Sequence, residues 1–400
     1  VTGKSRRILA ALYHSCIDTS SGAAISLRDL VEALARRDWD ARVFCGPLLD
    51  FDEGRTNRQL LEDEAVAFEV YDGHARGEDF SVFMFRKGNV DCALYTPRQA
   101  QQPPSQAVGE NWLQCYAELL ASWRPDVVIT YGGFWMTRPL VQLAKEHGAR
   151  IVFYLCNFAY SDGSLFDGID ATIVLSRFHA RWCRECRETL GIECHPVYPL
   201  IDRERVECEA DPKRRYVTFV NPQPHKGVFV VARIAEVLGR ERPDIPLLVV
   251  ESRAASHWIG AVNPALAGSG HLFRMTHTPD PRDYYRASRV VLMPSLWQES
   301  FGRVAAEAMI NGIPVLGSTR GALPEVIGDA ELLIQVPEKY TPESRQLPTA
   351  DEVRPWIGAI QSLLDDAPYY RQVSDRCRLR LEMWAPEKLV AEFERIASND

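Results

Sequence analysis

The sequence predicts an α/β protein of two doubly wound, Rossmann-like domains. Three observations carry this. Short apolar runs alternate with segments whose apolar residues recur at helical spacing. The alternation stops in a charge-dense stretch, residues 202–215 (DRERVECEADPKRR), and restarts beyond it with the same rhythm. The length agrees, because 400 residues at roughly 150 per domain make two to three domains.

The elements follow in order. Residues 7–12 (RILAAL) read as a buried strand. Residues 23–37 carry apolar side chains at 24, 27, 30, 31 and 34 and read as an amphipathic helix. Strands are expected at 41–45 and 65–71. Residues 72–106 break the rhythm with Gly73, Gly77, Gly88 and Pro97 and end in QAQQPP. A long excursion with short strands is expected there, and long loops are often functional. Helices at 106–122 and 139–147 and strands at 125–131, 150–156, 171–175 and 196–201 complete a first domain, residues 1–202. Residues 203–214 read as a linker. A second domain, 215–380, has strands at 215–220, 246–251, 272–275, 290–293, 313–317 and 332–336, with helices at 227–240 and 303–310. The remainder, 381–400, is a C-terminal helix with Leu389, Phe393 and Ile396 on one stripe.

Composition narrows the function classes. Hydrophobic residues are 46% and charged residues 25%, a globular balance that excludes a disordered chain. The net charge is −8, with neither half basic, so nucleic acid and anionic membranes are disfavoured as partners. Residues 1–200 also offer no Lys/Arg-rich helix face, so a soluble acceptor and no strong membrane binding are expected. The first apolar run is too short for a signal-peptide core, which makes a cytoplasmic protein the expectation, with the ten cysteines reduced and mostly buried.

The most informative stretch is residues 290–333, VVLMPSLWQESFGRVAAEAMINGIPVLGSTRGALPEVIGDAELL. A buried strand ends at Pro294-Ser295. A loop carries Glu299, Ser300, Phe301 and Gly302. A helix over 303–310 is closed by Asn311-Gly312. Glu299 therefore sits in the loop and Glu307 inside the helix. Strand, loop and helix place both at the carboxyl edge of a parallel sheet, where the helix N-terminus suits a phosphate and Gly302 permits close approach. A surface carboxylate and an ordinary helical Glu are the plain alternatives. Elsewhere, His179, Cys183 and Cys186 share a helix face with Cys194-His195 downstream. Zinc or buried structural thiols would both explain them, although the usual paired CxxC spacing is missing. Trp112, Tyr116 and Trp123 fall near helical spacing and read as core, with an acceptor pocket as the alternative. No dinucleotide fingerprint, P-loop or nucleophile elbow occurs.

The 290–333 stretch resembles the signature of the retaining, nucleotide-sugar-dependent glycosyltransferases of family 4, which have the GT-B fold. That family carries P-S … E-(S/G)-(F/L)-G-x5-E, and Glu299 and Glu307 match its spacing. Its following glycine-rich motif is similar to Gly312-Ile-Pro-Val-Leu-Gly-Ser-Thr-Arg-Gly-Ala-Leu-Pro-Glu325. Residues 220–227 (VNPQPHKG) resemble the family's Lys-Gly phosphate motif, and Trp384 its closing tryptophan. Residues 198–202 (YPLID) sit where the family ends its first domain. The resemblance covers residues 170–400 well and residues 1–170 only in rhythm.

The resemblance implies two domains facing a cleft, the C-terminal helix crossing back to the first. It implies that Glu307 holds the nucleotide ribose and that Glu299 and the amides of Ser300, Phe301 and Gly302 hold the donor sugar. Lys226 neutralises the diphosphate, and Gly22 lies near the donor phosphate. The donor is a substrate, so no cofactor is expected. No metal is expected either, because no DxD-like pair ends a strand. The partners are a nucleotide-sugar donor and a small-molecule or glycan acceptor. Two departures stand out. The family often has an Arg where this chain has Asn221, so Arg253 or Arg303 is expected to supply a second cation. The family's first-domain His is missing from the loops at 130–134 and 156–158, leaving Tyr131 or Asn157 in that place. A GT-B protein that binds nucleotide-sugar without transfer, a pseudo-enzyme or scaffold, is the alternative. An unrelated Rossmann oxidoreductase is disfavoured by the absent glycine fingerprint.

Overall fold

Two runs of parallel strands, each wrapped by helices, form two separate units in the computed structural model. It describes residues 6–51, 54–100, 102–186, 190–211, 213–254, 258–259, 266 and 268–398, so the outermost ends of the expected first and last segments, 1–5 and 399–400, lie outside the described residues. One unit runs to Leu200 and includes the segment from Pro386; the other is Ile201–Ala385.

In the first unit the apolar runs become β1 (Arg7–His14), β2 (Asp40–Leu48), β3 (Phe68–Ala75), β4 (Glu78–Lys87), β5 (Val90–Pro97), β6 (Val127–Thr130), β7 (Arg150–Leu155), β8 (Ala171–Val174) and β9 (Cys194–Pro196). The main helices are α1 (Gly22–Ala35), α2 (Asn57–Asp63), α3 (Gln106–Trp123), α4 (Thr137–Glu146) and α5 (Arg177–Glu185). The sheet order is β3-β4-β5-β2-β1-β6-β7-β8-β9. Every pair is parallel except β3–β4 and β4–β5. The chain moves outward from β1 on one side and then returns to its other side at β6. That reversal opens a crevice beyond the carboxyl ends of β1 and β6. Trp112, Tyr116 and Trp123 are buried under α3 in the core, packed with Tyr13 and Phe44.

The C-terminal helix Pro386–Ser398 belongs to this unit. Leu389, Phe393 and Ile396 are buried as their stripe predicts. Glu394 accepts from the Trp39 indole at 3.0 Å and pairs with Arg37 at 3.2 Å, and Arg150 donates to the Ile396 carbonyl at 3.2 Å.

Four readings of the sequence are corrected here. The excursion at 72–106 is a regular antiparallel ribbon, with β3 and β4 paired over eight residues. Its turn has positive φ at both Arg76 and Gly77, the geometry that joins twisted strands tightly. The strand expected at 196–201 occupies Cys194–Pro196 instead, because Pro196 and Pro199 offer no N–H to continue the ladder. The linker at 203–214 begins with a helical turn, Arg203–Val206, capped by the Asp202 side chain. Within the second unit Asn311 anchors that turn, donating to the Val206 carbonyl and accepting from Cys208 N–H, each at 2.9 Å. Finally, α5 does present a basic face: Arg177, Arg181 and Arg184 are all exposed. The sequence reading weighed only the opposite, His–Cys face of this helix.

The second unit contains β10 (Tyr216–Val220), α6 (Val228–Glu241), β11 (Leu247–Val250), β12 (Leu272–Met275), β13 (Ser288–Met293), α7 (Arg303–Ile310), β14 (Val315–Ser318), β15 (Leu333–Ile334), α8 (Arg354–Asp365) and α9 (Ala367–Leu379). All its pairs are parallel, in the order β12-β11-β10-β13-β14-β15. Here the order reverses between β10 and β13.

Candidate functional site

The loops that leave β10 and β13 carry the residues of the two sequence motifs, and the topology brings them side by side. The β10 loop ends in Lys226-Gly227 and the β13 loop in Glu299–Gly302. Gly227 has φ +90°, and a Cβ on it would lie 2.1 Å from the Pro294 carbonyl oxygen. Only glycine lets the two backbones meet this closely. The His225 carbonyl then accepts from Leu296 N–H at 2.9 Å and Trp297 N–H at 3.3 Å. The two loops are thus joined by main-chain bonds before any side chain is considered.

Lys226 and Glu299 form the centre of this ridge. The Lys226 ammonium donates to both Glu299 carboxylate oxygens, at 2.8 and 3.0 Å. Ser295 donates to Oε1 of the same carboxylate at 2.5 Å. Glu299 is buried, and burial alone would push its carboxyl up. The Lys226 charge and hydrogen bond, with that of Ser295, outweigh this and hold it below the usual carboxylate range. A third loop, after β14, closes from the other side. Ala322 N–H donates to the Glu299 carbonyl at 2.8 Å and Gly321 N–H to the Gln298 side chain at 2.6 Å. Ser295, Gly227 and Gly321 are therefore builders of the site that the search for charged groups passed over. Their signal was the Pro-Ser pair and the glycines inside the motifs.

The other residues named from sequence fall as follows. Gly302 is the N-cap of α7 with φ +97° and, as a glycine, brings no capping side chain of its own. The Phe301 ring is buried edge-on against Trp384, 6.2 Å between centroids, so only its backbone faces the loop. Glu307 lies on α7, bonded to Arg303 Nε at 2.7 Å and the Tyr285 hydroxyl at 3.0 Å. Arg303 is thus turned along its own helix toward Glu307. Arg253 is exposed on the loop after β11, and its carbonyl accepts from the Gln223 side chain at 3.4 Å, which places it beside the Lys226 loop. Asn221 adopts φ +64°. Asn tolerates this left-handed conformation better than most residues, which accounts for its type there.

In the first unit the crevice between β1 and β6 gathers aromatic groups. His14, at the end of β1, stacks on Tyr131 at 5.4 Å and Phe134 at 5.9 Å and pairs with Asp50 at 3.9 Å. Sequence reasoning looked for a His only in the later loops and missed this one. Tyr131 is in the crevice, but its hydroxyl is buried; Asn157 is exposed and caps its own turn by accepting from Ala159 N–H at 2.9 Å. Gly22 opens α1, where Ser21 makes no side-chain cap. A Cβ at Gly22 would touch nothing within 4 Å. Gly22→Ala is therefore expected to leave the melting temperature unchanged, so a fall in kcat/KM in that variant reports a ligand passing close to this backbone.

Among the described residues, no group of three or more His, Cys, Asp or Glu side chains is placed to hold a metal. His179 is buried instead against Phe158, 4.4 Å away, and Cys183 lies in an apolar cluster with Phe153, Leu155 and Ala180. No described helix is long and apolar enough to cross a membrane.

Comparison with known proteins gives the following. The profile of the glycosyl transferases group 1 matches residues 201–345, and that of the glycosyl transferase 4-like domain matches residues 21–187. A D-inositol 3-phosphate glycosyltransferase of Mycobacterium sp. (strain KMS) is 32% identical over 278 residues, 60% of each chain. One from Segniliparus rotundus is 34% identical over 160 residues, 37% of this chain and 35% of the relative. The chain thus spans about a third of the length of the first curated relatives it matches. In structure it is similar to the catalytic domain of starch synthase IV from Arabidopsis thaliana, bound to ADP and acarbose (TM-score 0.71, 12% identity, 99% of both chains). It is also similar to Anabaena HepE in complex with UDP and glucose (TM-score 0.68, 14% identity, 99% of this chain and 100% of that one). These likenesses establish the GT-B fold.

Proposed function

Because the chain belongs to the group 1 glycosyltransferases with a family 4-like first half, we propose that it transfers a sugar from a nucleoside-diphosphate sugar to an acceptor hydroxyl, with retention. One observation carries the reading: Lys226 and Glu299 meet at the strand-order reversal of the second unit, on loops joined by main-chain bonds. A diphosphate leaving group gains charge in the transition state, and a lysine at that edge stabilises it. Glu299 and the Ser300–Gly302 amides then hold the donor sugar, and Glu307 the ribose. Arg253 supplies the second cation that Asn221 does not, and Arg253→Ala is expected to lower kcat, by less than the loss of Lys226. On this reading the acceptor binds the first unit, Gly22 is its donor-phosphate residue and His14 its polar group for the reacting carbon. Relatives named for inositol 3-phosphate favour a polyol-type acceptor. A cytoplasmic location suits the buried thiols.

The test is a thermal-shift screen of UDP-, GDP-, TDP- and ADP-sugars, since binding to the native state raises its apparent stability. One donor class is expected to stand out, and hydrolysis or transfer of that donor to follow. With that nucleoside diphosphate, Glu307→Gln weakens binding by about 1.5–3 kcal/mol, the range for hydrogen bonds to a charged group. Calorimetry showing equal affinity in the variant removes Glu307 from the ribose.

A further inference from the structure

Lys226 has a second partner that the glycosyl-transfer reading does not use. Its ammonium lies 4.6 Å from the centroid of the Trp297 ring. The ring is itself packed: His225 lies against it at 4.6 Å with a 49° tilt, and the main-chain N–H of Trp297 is bonded to the His225 carbonyl. Lysine, indole and imidazole thus come from two loops pinned together at Gly227. His225 is pushed down to about 4 by burial and then by the Lys226 charge, so it remains neutral at physiological pH. The Trp297 indole N–H favours the charged Glu299 from nearby without reaching hydrogen-bond geometry.

We propose that Trp297 is a positioning residue for Lys226, its ring face fixing the ammonium at the strand-order reversal so that it meets a diphosphate already in place. The two partners of Lys226 differ in a way that matters. Glu299 is anionic and competes with phosphate oxygens for the same ammonium hydrogens. The indole face attracts the cation through its quadrupole and claims no acceptor position, so it keeps hold of the lysine when its contact with Glu299 changes. A free lysine would have to be ordered at each turnover, at the expense of its rotamer entropy. The proposal rests on the reading of Lys226 as a diphosphate ligand.

The probes are inorganic pyrophosphate, UDP and uridine, titrated into the full chain by calorimetry. Trp297→Phe keeps an aromatic face and is expected to bind all three as the wild type does. Trp297→Leu is expected to bind pyrophosphate and UDP about tenfold more weakly, the equivalent of one partly desolvated cation–π contact. Its uridine affinity and melting temperature are expected to hold. In a Lys226→Met background the Leu substitution is expected to add nothing. Equal pyrophosphate binding in wild type and Trp297→Leu overturns the proposal while leaving the glycosyl-transfer reading intact. So does a loss shared by uridine, or one that persists without Lys226, since either marks a general role in the loop fold. A wild-type chain that binds no pyrophosphate and no nucleoside diphosphate overturns the reading itself, and the proposal with it.

Discussion

Lys226→Met is expected to destabilise the second unit by about 3–5 kcal/mol at neutral pH, because it leaves the buried Glu299 carboxylate without its countercharge. The pH dependence is the sharper signature. In the wild type the Glu299 carboxyl lies below its unfolded value, so its contribution is present above the ordinary Glu range and is lost as pH falls through the folded value. Without Lys226, burial becomes the dominant influence and raises the carboxyl above its unfolded value. The variant then gains stability as pH falls from 8 toward 5, while the wild type does not. Thermal unfolding across that range checks this, and parallel slopes for the two proteins would falsify it. Lys226→Met/Glu299→Gln should recover most of the loss, since no charge is then buried. Activity lost in Lys226→Met is attributable to a phosphate clamp only after this comparison.

Gly227→Ala is the second large effect expected. The new Cβ would sit 2.1 Å from the Pro294 oxygen and 2.8 Å from its carbonyl carbon, both main-chain atoms that cannot swing aside. The left-handed φ adds strain of its own. Together these cost about 2–5 kcal/mol. Denaturant unfolding should show the loss, and nucleotide binding should fall with it, because the β10 and β13 loops separate. For stability alone, Gly22→Ala is the internal control, an alanine placed where there is room.

Helix α7 was legible to the residue, since Gly302 and Asn311-Gly312 punctuate both ends with residues suited to caps. The ribbon of β3, β4 and β5 was not. The apolar run FSVFMF marks a strand, but the glycines that make tight turns between strands look the same in a sequence as glycines that make loops. The carboxylates were found by spacing, and no spacing could reveal what faces them. Lys226 meets Glu299 across 73 positions, by strand order alone. His14 was hidden for a related reason. It ends the first strand, and only the return of the chain to β6 places Tyr131 against it.

The membership of Pro386–Ser398 in the first unit has a consequence for the order of events during synthesis. The ribosome delivers that unit in two instalments, with all of Ile201–Ala385 between them. At ~5–20 residues per second the gap lasts roughly 10–40 s. Through that interval the Trp39 indole has no Glu394 to bond and the surface covered by Leu389 and Phe393 is bare. The second unit, contiguous in sequence, can finish first, while the N-terminal half waits for its last helix.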